Sequence, residues 1–108
     1  MRLQSSVSVT AEKLVELTAK VASRMHVDDE EFERLVSIGL LEIAKASVVA
    51  TASQVVQDSN GLLFCKLCSK GPFTKKGMFL HLTRLHRGEI KTILESEIRN
   101  RLKGFTKT

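Results

Sequence analysis

The chain has 108 residues and a mass of 12.0 kDa, with 43% hydrophobic and 27% charged residues, one Pro, five Phe and neither Trp nor Tyr. That allows one compact domain or two very small ones, and it excludes a large enzyme fold with a deep substrate cavity. Two cysteines are too few for a disulfide-knotted secreted scaffold, the hydrophobic share is too high for disorder throughout, and the net charge of +5 hides a division along the chain.

Residues 1–60 hold six Lys/Arg against nine Asp/Glu, whereas residues 61–108 hold eleven against three. The basic half is therefore the candidate polyanion surface. No long apolar run follows Arg2, so a secretory signal is not expected. The expected location is intracellular, nuclear in a eukaryote. The most membrane-like window, Leu35 to Val56, carries Glu42 and Lys45 near its middle, so a buried or self-associating helix is expected there and not a membrane span.

Residues 3–9 place Leu3, Ser5, Val7 and Val9 on one side and Gln4, Ser6 and Ser8 on the other, which predicts a short strand. From Thr10, read as an N-cap, Leu14, Leu17, Val21 and Met25 recur at helical spacing. Asp28, with Glu31 three residues on, forms a capping-box pattern for a second helix from about Asp29. Its stripe of Phe32, Leu35, Val36, Leu40, Ile43 and Ala44 is expected to continue to about Gln57. Over residues 1–46 this order of strand and two helices resembles the ribbon-helix-helix family of dimeric DNA-binding repressors. The resemblance implies that strands pair across a dimer and lay Gln4, Ser6 and Ser8, with Arg2 beside them, in the major groove. A plain helical dimerisation domain is the other reading of the same residues, and both imply a homodimer through residues 1–57.

Asp58-Ser59-Asn60-Gly61 is the strongest break in the chain and coincides with the charge reversal, so residues 58–60 are read as a linker between two units. Beyond it stand Cys65 and Cys68, then twelve residues, His81, four residues, and His86. Two thiolates on a tight turn and two imidazoles on one helical face can close a tetrahedron around one structural zinc ion per chain. These residues resemble the two-cysteine, two-histidine zinc finger family over residues 62–87. The resemblance implies a ββα unit within residues 61–87, with a hairpin over Leu62 to Thr74 turning at Ser69-Lys70-Gly71 and a helix from about Lys75. Met78 stands where the family usually has Leu. Phe73 lies one place later than the usual aromatic, with Pro72 in its slot, which predicts a slightly shifted hairpin.

In the family's register the base-facing positions would be Thr74, Gly77 and Leu80, which are poor readers of base edges. Lys70, Lys75, Lys76, Arg84 and Arg87 suit phosphates instead. Phe79 and Leu80 are unusually apolar for an exposed finger helix and imply cover by another part of the protein or by a protein partner. Ile90, Ile93, Leu94, Ile98 and Leu102 then mark a basic amphipathic helix over residues 88–108, able to pack on Phe79 and Leu80.

The expected fold is mostly α with a small α+β part. The expected function is a small dimeric zinc-finger regulator that binds double-stranded DNA; the alternative is a protein-interaction adaptor. No Ser/His/Asp or paired-carboxylate pattern points to an enzyme, and no small-molecule substrate or membrane is expected.

Overall fold

The computed structural model describes the backbone of residues 2–106 and the side chains of residues 6–104. It is mostly helical with one small antiparallel sheet: α1 (Arg2–Ala22), α2 (Asp29–Glu33), a 3-10 turn (Ile38–Leu40), α3 (Leu41–Val55), β1 (Val56–Ser59), β2 (Leu62–Cys65), α4 (Lys75–Leu85) and α5 (Arg87–Thr106).

The strand expected over residues 3–9 is absent; those residues form the first turns of α1, and Thr10 lies inside the helix rather than capping it. The reason is tertiary. Val7, Ala11, Leu14, Val15 and Thr18 share one helical face, and all are buried in the core. The alternation of residues 3–9 is short enough to be overridden by that longer period. The ribbon of the ribbon-helix-helix resemblance is thereby missing. Ser6 is exposed and Ser8 half-buried on a helix, while the side chains of Arg2 and Gln4 lie outside the described residues.

Helix α1 ends where Arg24 takes φ +65° and the Met25 N–H reaches back to the Lys20 carbonyl at 2.9 Å. The capping box then forms as expected: Asp28 caps α2, and its backbone N–H donates to the Glu31 carboxylate at 3.1 Å. The single long helix expected from Asp29 is broken instead. Helix α2 stops at Glu33, and the chain re-enters helix through the 3-10 turn containing Gly39. Asp29 and Lys45, 2.9 Å apart, tie the two helical pieces together.

Helices α1, α3 and α5 pack on one another as a three-helix bundle. Helix α3 supplies the small face Ala44, Ser47, Val48, Thr51, Ala52 and Val55, and α5 supplies Ile90, Leu94 and Ile98, each 3% exposed or less. Burying a side chain such as Leu94 contributes about 1.5–3 kcal/mol. The Ile38–Val55 window is long and apolar enough by composition to cross a membrane, yet its α3 part packs between α1 and α5. The α5 stripe packs on α1 and α3, and Phe79 is partly buried against the same core cluster.

The segment read as a linker is structured. Asn60 and Gly61, at φ +55° and +88°, form the two-residue turn that joins β1 to β2 in register Val56 with Cys65 and Ser59 with Leu62. Asp58 accepts the Gly61 N–H at 2.8 Å and holds Arg24 at 2.9 Å, linking the turn to the end of α1. One core cluster runs from Val7 through Val56, Leu63 and Met78 to Ile98, across the expected boundary.

Candidate metal centre

Four short devices bring the ligand set together. Strand β2 ends at Cys65, whose N–H donates to the Lys70 carbonyl at 2.8 Å while the Ser69 N–H donates back to the Cys65 carbonyl at 2.7 Å. Ser69 closes that turn at φ +66°, so Cys65 and Cys68 face the same space. Thr74 then caps α4, its hydroxyl accepting the Gly77 N–H at 2.9 Å. Such a cap contributes about 1 kcal/mol. Helix α4 starts at Lys75 as expected, anchors on the fully buried Met78 and Leu82, and carries His81 in its next-to-last turn; His86 stands immediately after its end.

The hairpin expected over Leu62 to Thr74 is reorganised. Strand β2 pairs along its length with β1, and on its other side, besides the turn at Cys65, it meets Phe73 through a Phe73 N–H to Leu63 carbonyl bond of 2.8 Å. Gly71 makes that return possible. It sits at φ +146°, and a Cβ there would lie 2.8 Å from both the Leu63 carbonyl oxygen and the Phe64 ring. The one-place shift of Phe73 lets its ring stack on His81, with centroids 4.6 Å apart and planes at 28°.

One ligand atom from each of Cys65, Cys68, His81 and His86 lies within 4.8 Å of the others, an arrangement able to hold a metal ion. Cys68 Sγ and His81 Nε2 are 3.3 Å apart. Bond lengths of about 2.3 Å to sulfur and 2.0–2.1 Å to nitrogen put a tetrahedral edge near 3.5 Å, so this pair already has ligand spacing. His86 Nε2 is buried with no hydrogen-bond partner among the described residues, an arrangement that costs about 1–3 kcal/mol unless an ion takes it up. The donor set thus fits a metal on geometry and on polar satisfaction.

Electrostatics divide the ligands. Burial pushes the Cys65 thiol above its usual pKa. Burial also opposes the Cys68 thiolate, but the Lys70 N–H and His86 outweigh it and bring that thiol below the usual value. His81 is lowered by burial, with the nearby His86 and Lys70 adding to it. For His86 burial works toward the neutral form, yet the Glu89 carboxylate at its Nδ1 prevails and raises it.

The other sequence-singled residues are dispersed. Lys70, Lys75, Lys76 and Arg84 are exposed, with no carboxylate partner among the described residues. Arg87 is different: it lies 3.5 Å from Glu12 and 3.8 Å from Glu16 of α1, with Lys91 3.6 Å from Glu12. Thr74 and Gly77 serve the cap. Phe79 is half-buried against the core and Leu80 is half-buried. Sequence reasoning did not single out Glu89, Phe73 as a stacking partner, or Asn60-Gly61 as a hairpin turn. Each had a signal: a carboxylate three residues after a histidine on a helix, an aromatic beside the ligand set, and a dipeptide that favours positive φ at both positions.

No protein-family model, no curated protein and no solved structure matches this chain. What stands for it is the site itself: two thiols and two imidazoles converging on one point, beside a helix whose exposed cations lack acidic neighbours in sequence.

Proposed function

We propose that this chain is a zinc-stabilised, DNA-binding regulator that grips the phosphate backbone through its finger segment. One observation carries the reading. Residues 59–88 contain no Asp or Glu, and Lys70, Lys75, Lys76 and Arg84 there have no carboxylate partner among the described residues. Outside that segment Lys20, Arg24, Arg34, Lys45, Lys91 and Arg101 meet carboxylates, and within it Arg87 does. Lys75 and Lys76 also sit in the first turn of α4, where the helix dipole disfavours cations and favours a bound anion.

Zinc is the ion that the donor set favours, since two thiolates and two imidazoles in a closed tetrahedron leave no position for reactive water. The role is structural, and the reading excludes hydrolysis at this centre. Arg87 belongs to the phosphate set only when DNA displaces Glu12 and Glu16, exposed pairs of about 0–1 kcal/mol. A homodimer through residues 1–57 would use the exposed Val9, Ile38 and Val49.

The deciding experiment is a salt series of binding to random duplex DNA. Four phosphate contacts give a slope of roughly −3 to −4 in log K against log salt, and each Lys→Ala change at positions 70, 75 or 76 should lower its magnitude by about one, equally for all sequences. A zinc-loaded protein that ignores DNA even at low salt refutes this reading and favours the adaptor. Leu85, 66% exposed at the end of α4 close to Leu80 in sequence, is the observation that supports a protein partner there.

A further inference from the structure

The two histidines of the centre are held by different means. His81 is held by packing: its ring lies on Phe73 and its Nε2 is 3.3 Å from Cys68 Sγ. His86 meets only the edge of the His81 ring, with centroids 4.9 Å apart and planes at 64°. Its side chain is 10% exposed, its Nδ1 is engaged by the Glu89 carboxylate, and its Nε2 is buried and without a partner among the described residues. A carboxylate accepting the proton on Nδ1 fixes the tautomer that leaves the Nε2 lone pair unprotonated, and it fixes the rotation of the ring as well.

We propose that Glu89 is a positioning residue of the metal centre, which selects Nε2 of His86 as the ligand atom and aims it at the ion. The inference rests on the reading of Cys65, Cys68, His81 and His86 as a zinc site. Placement in the fold supports it. Glu89 lies in the first turn of α5, and the Ile90 N–H donates to the His86 carbonyl at 3.0 Å, so His86 and Glu89 are joined by the start of one helix and keep a fixed offset. Glu89 has no cation partner among the described residues, although Arg87 and Lys91 flank it in sequence; both of those reach to α1 instead. Its carboxylate is directed to the ligand.

A first-turn acid could also serve α5 merely by complementing its dipole. The two roles separate in measurement. Zinc affinity is to be determined by competition with a chelator for the unmodified full chain, Glu89→Gln, Glu89→Ala and the control Glu95→Gln, alongside nitrogen chemical shifts of the His86 ring and the visible spectrum of the cobalt-loaded protein. Expected for Glu89→Ala is a roughly 10–100-fold loss of affinity, with the His86 Nδ1 proton signal shifted or lost and the cobalt bands altered. Glu89→Gln, which keeps an acceptor oxygen, should fall between, and Glu95→Gln should match the unmodified chain. Affinities within twofold across the set with unchanged His86 shifts overturn the role of Glu89. Failure of the unmodified chain to bind zinc or cobalt overturns the metal reading itself, which is a separate result.

Discussion

The three-helix bundle and the Cys/His segment, residues 62–86, differ in what they offer for stability. The bundle buries long stripes of Val, Leu, Ile and Ala and pairs most of its cations with carboxylates. The Cys/His segment adds only Leu63, Met78 and Leu82 to the shared core, and carries four converging side chains able to hold a metal and cations without acidic neighbours. A region held by apolar area gains nothing from unbalanced surface charge. In a region able to hold a metal, a bound ion would supply the stability that charge repulsion removes.

The sharpest way to break this comparison is to remove the ion. Chelation, or Cys65→Ser, should abolish hydrogen-exchange protection over residues 62–86 while most of α1 and α3 stays protected, since structural zinc binding is worth about 10–16 kcal/mol in peptides that fold on it. Equal loss of protection in both regions would show that the division does not exist.

The converse change is Leu94→Ala in α5. It should cost the bundle about 2–5 kcal/mol by urea denaturation and leave zinc affinity nearly unaltered. A smaller effect of opposite sign is expected at Thr51, which is fully buried on α3 with a hydroxyl lacking a partner among the described residues. Thr51→Val keeps the shape and should stabilise the protein by about 1 kcal/mol, read as a raised denaturation midpoint. A loss of stability would reveal a partner for that hydroxyl.

The finest test concerns the junction of the two regions. The Arg24 guanidinium holds the Asp58 carboxyl below its ordinary range, with the Gly61 N–H adding to the effect. A lowered folded-state pKa means that the stabilisation is present above the unfolded-state value and is lost as pH falls through the folded one. Carbon NMR titration should place the Asp58 midpoint below that of a free aspartate, and Arg24→Ala should move it upward.

The ligand set was legible in the sequence because its information is local: two thiols on a turn and two imidazoles five residues apart meet whatever surrounds them. The start of α2 was legible for the same reason, through Asp28 with Glu31, whereas the start of α4 at Lys75 came from the zinc-finger resemblance. Residues 3–9 were not, because Val7 answers to Ala11 and Leu14 along α1 and to the packing of that helix against α3 and α5, none of which a seven-residue alternation reports. The break within the second helix was hidden because Ile43 and Ala44 continue the periodic stripe on the far side of Gly39. Asn60-Gly61 was visible but has two meanings, a break between units or a turn within one. Only the pairing of Val56 with Cys65 decides between them.

One residue, His86, separates α4 from α5, and its backbone stands at φ −125° and ψ 20°. Those torsions belong to the joint between α4 and α5, while the buried Met78 and Leu82 anchor α4 in the core and leave Lys75, Lys76 and Arg84 exposed. An ion held by the His86 side chain acts on the same residue whose backbone forms the joint. Under the proposed metal reading, an ion bound there would brace this joint from the His86 side chain.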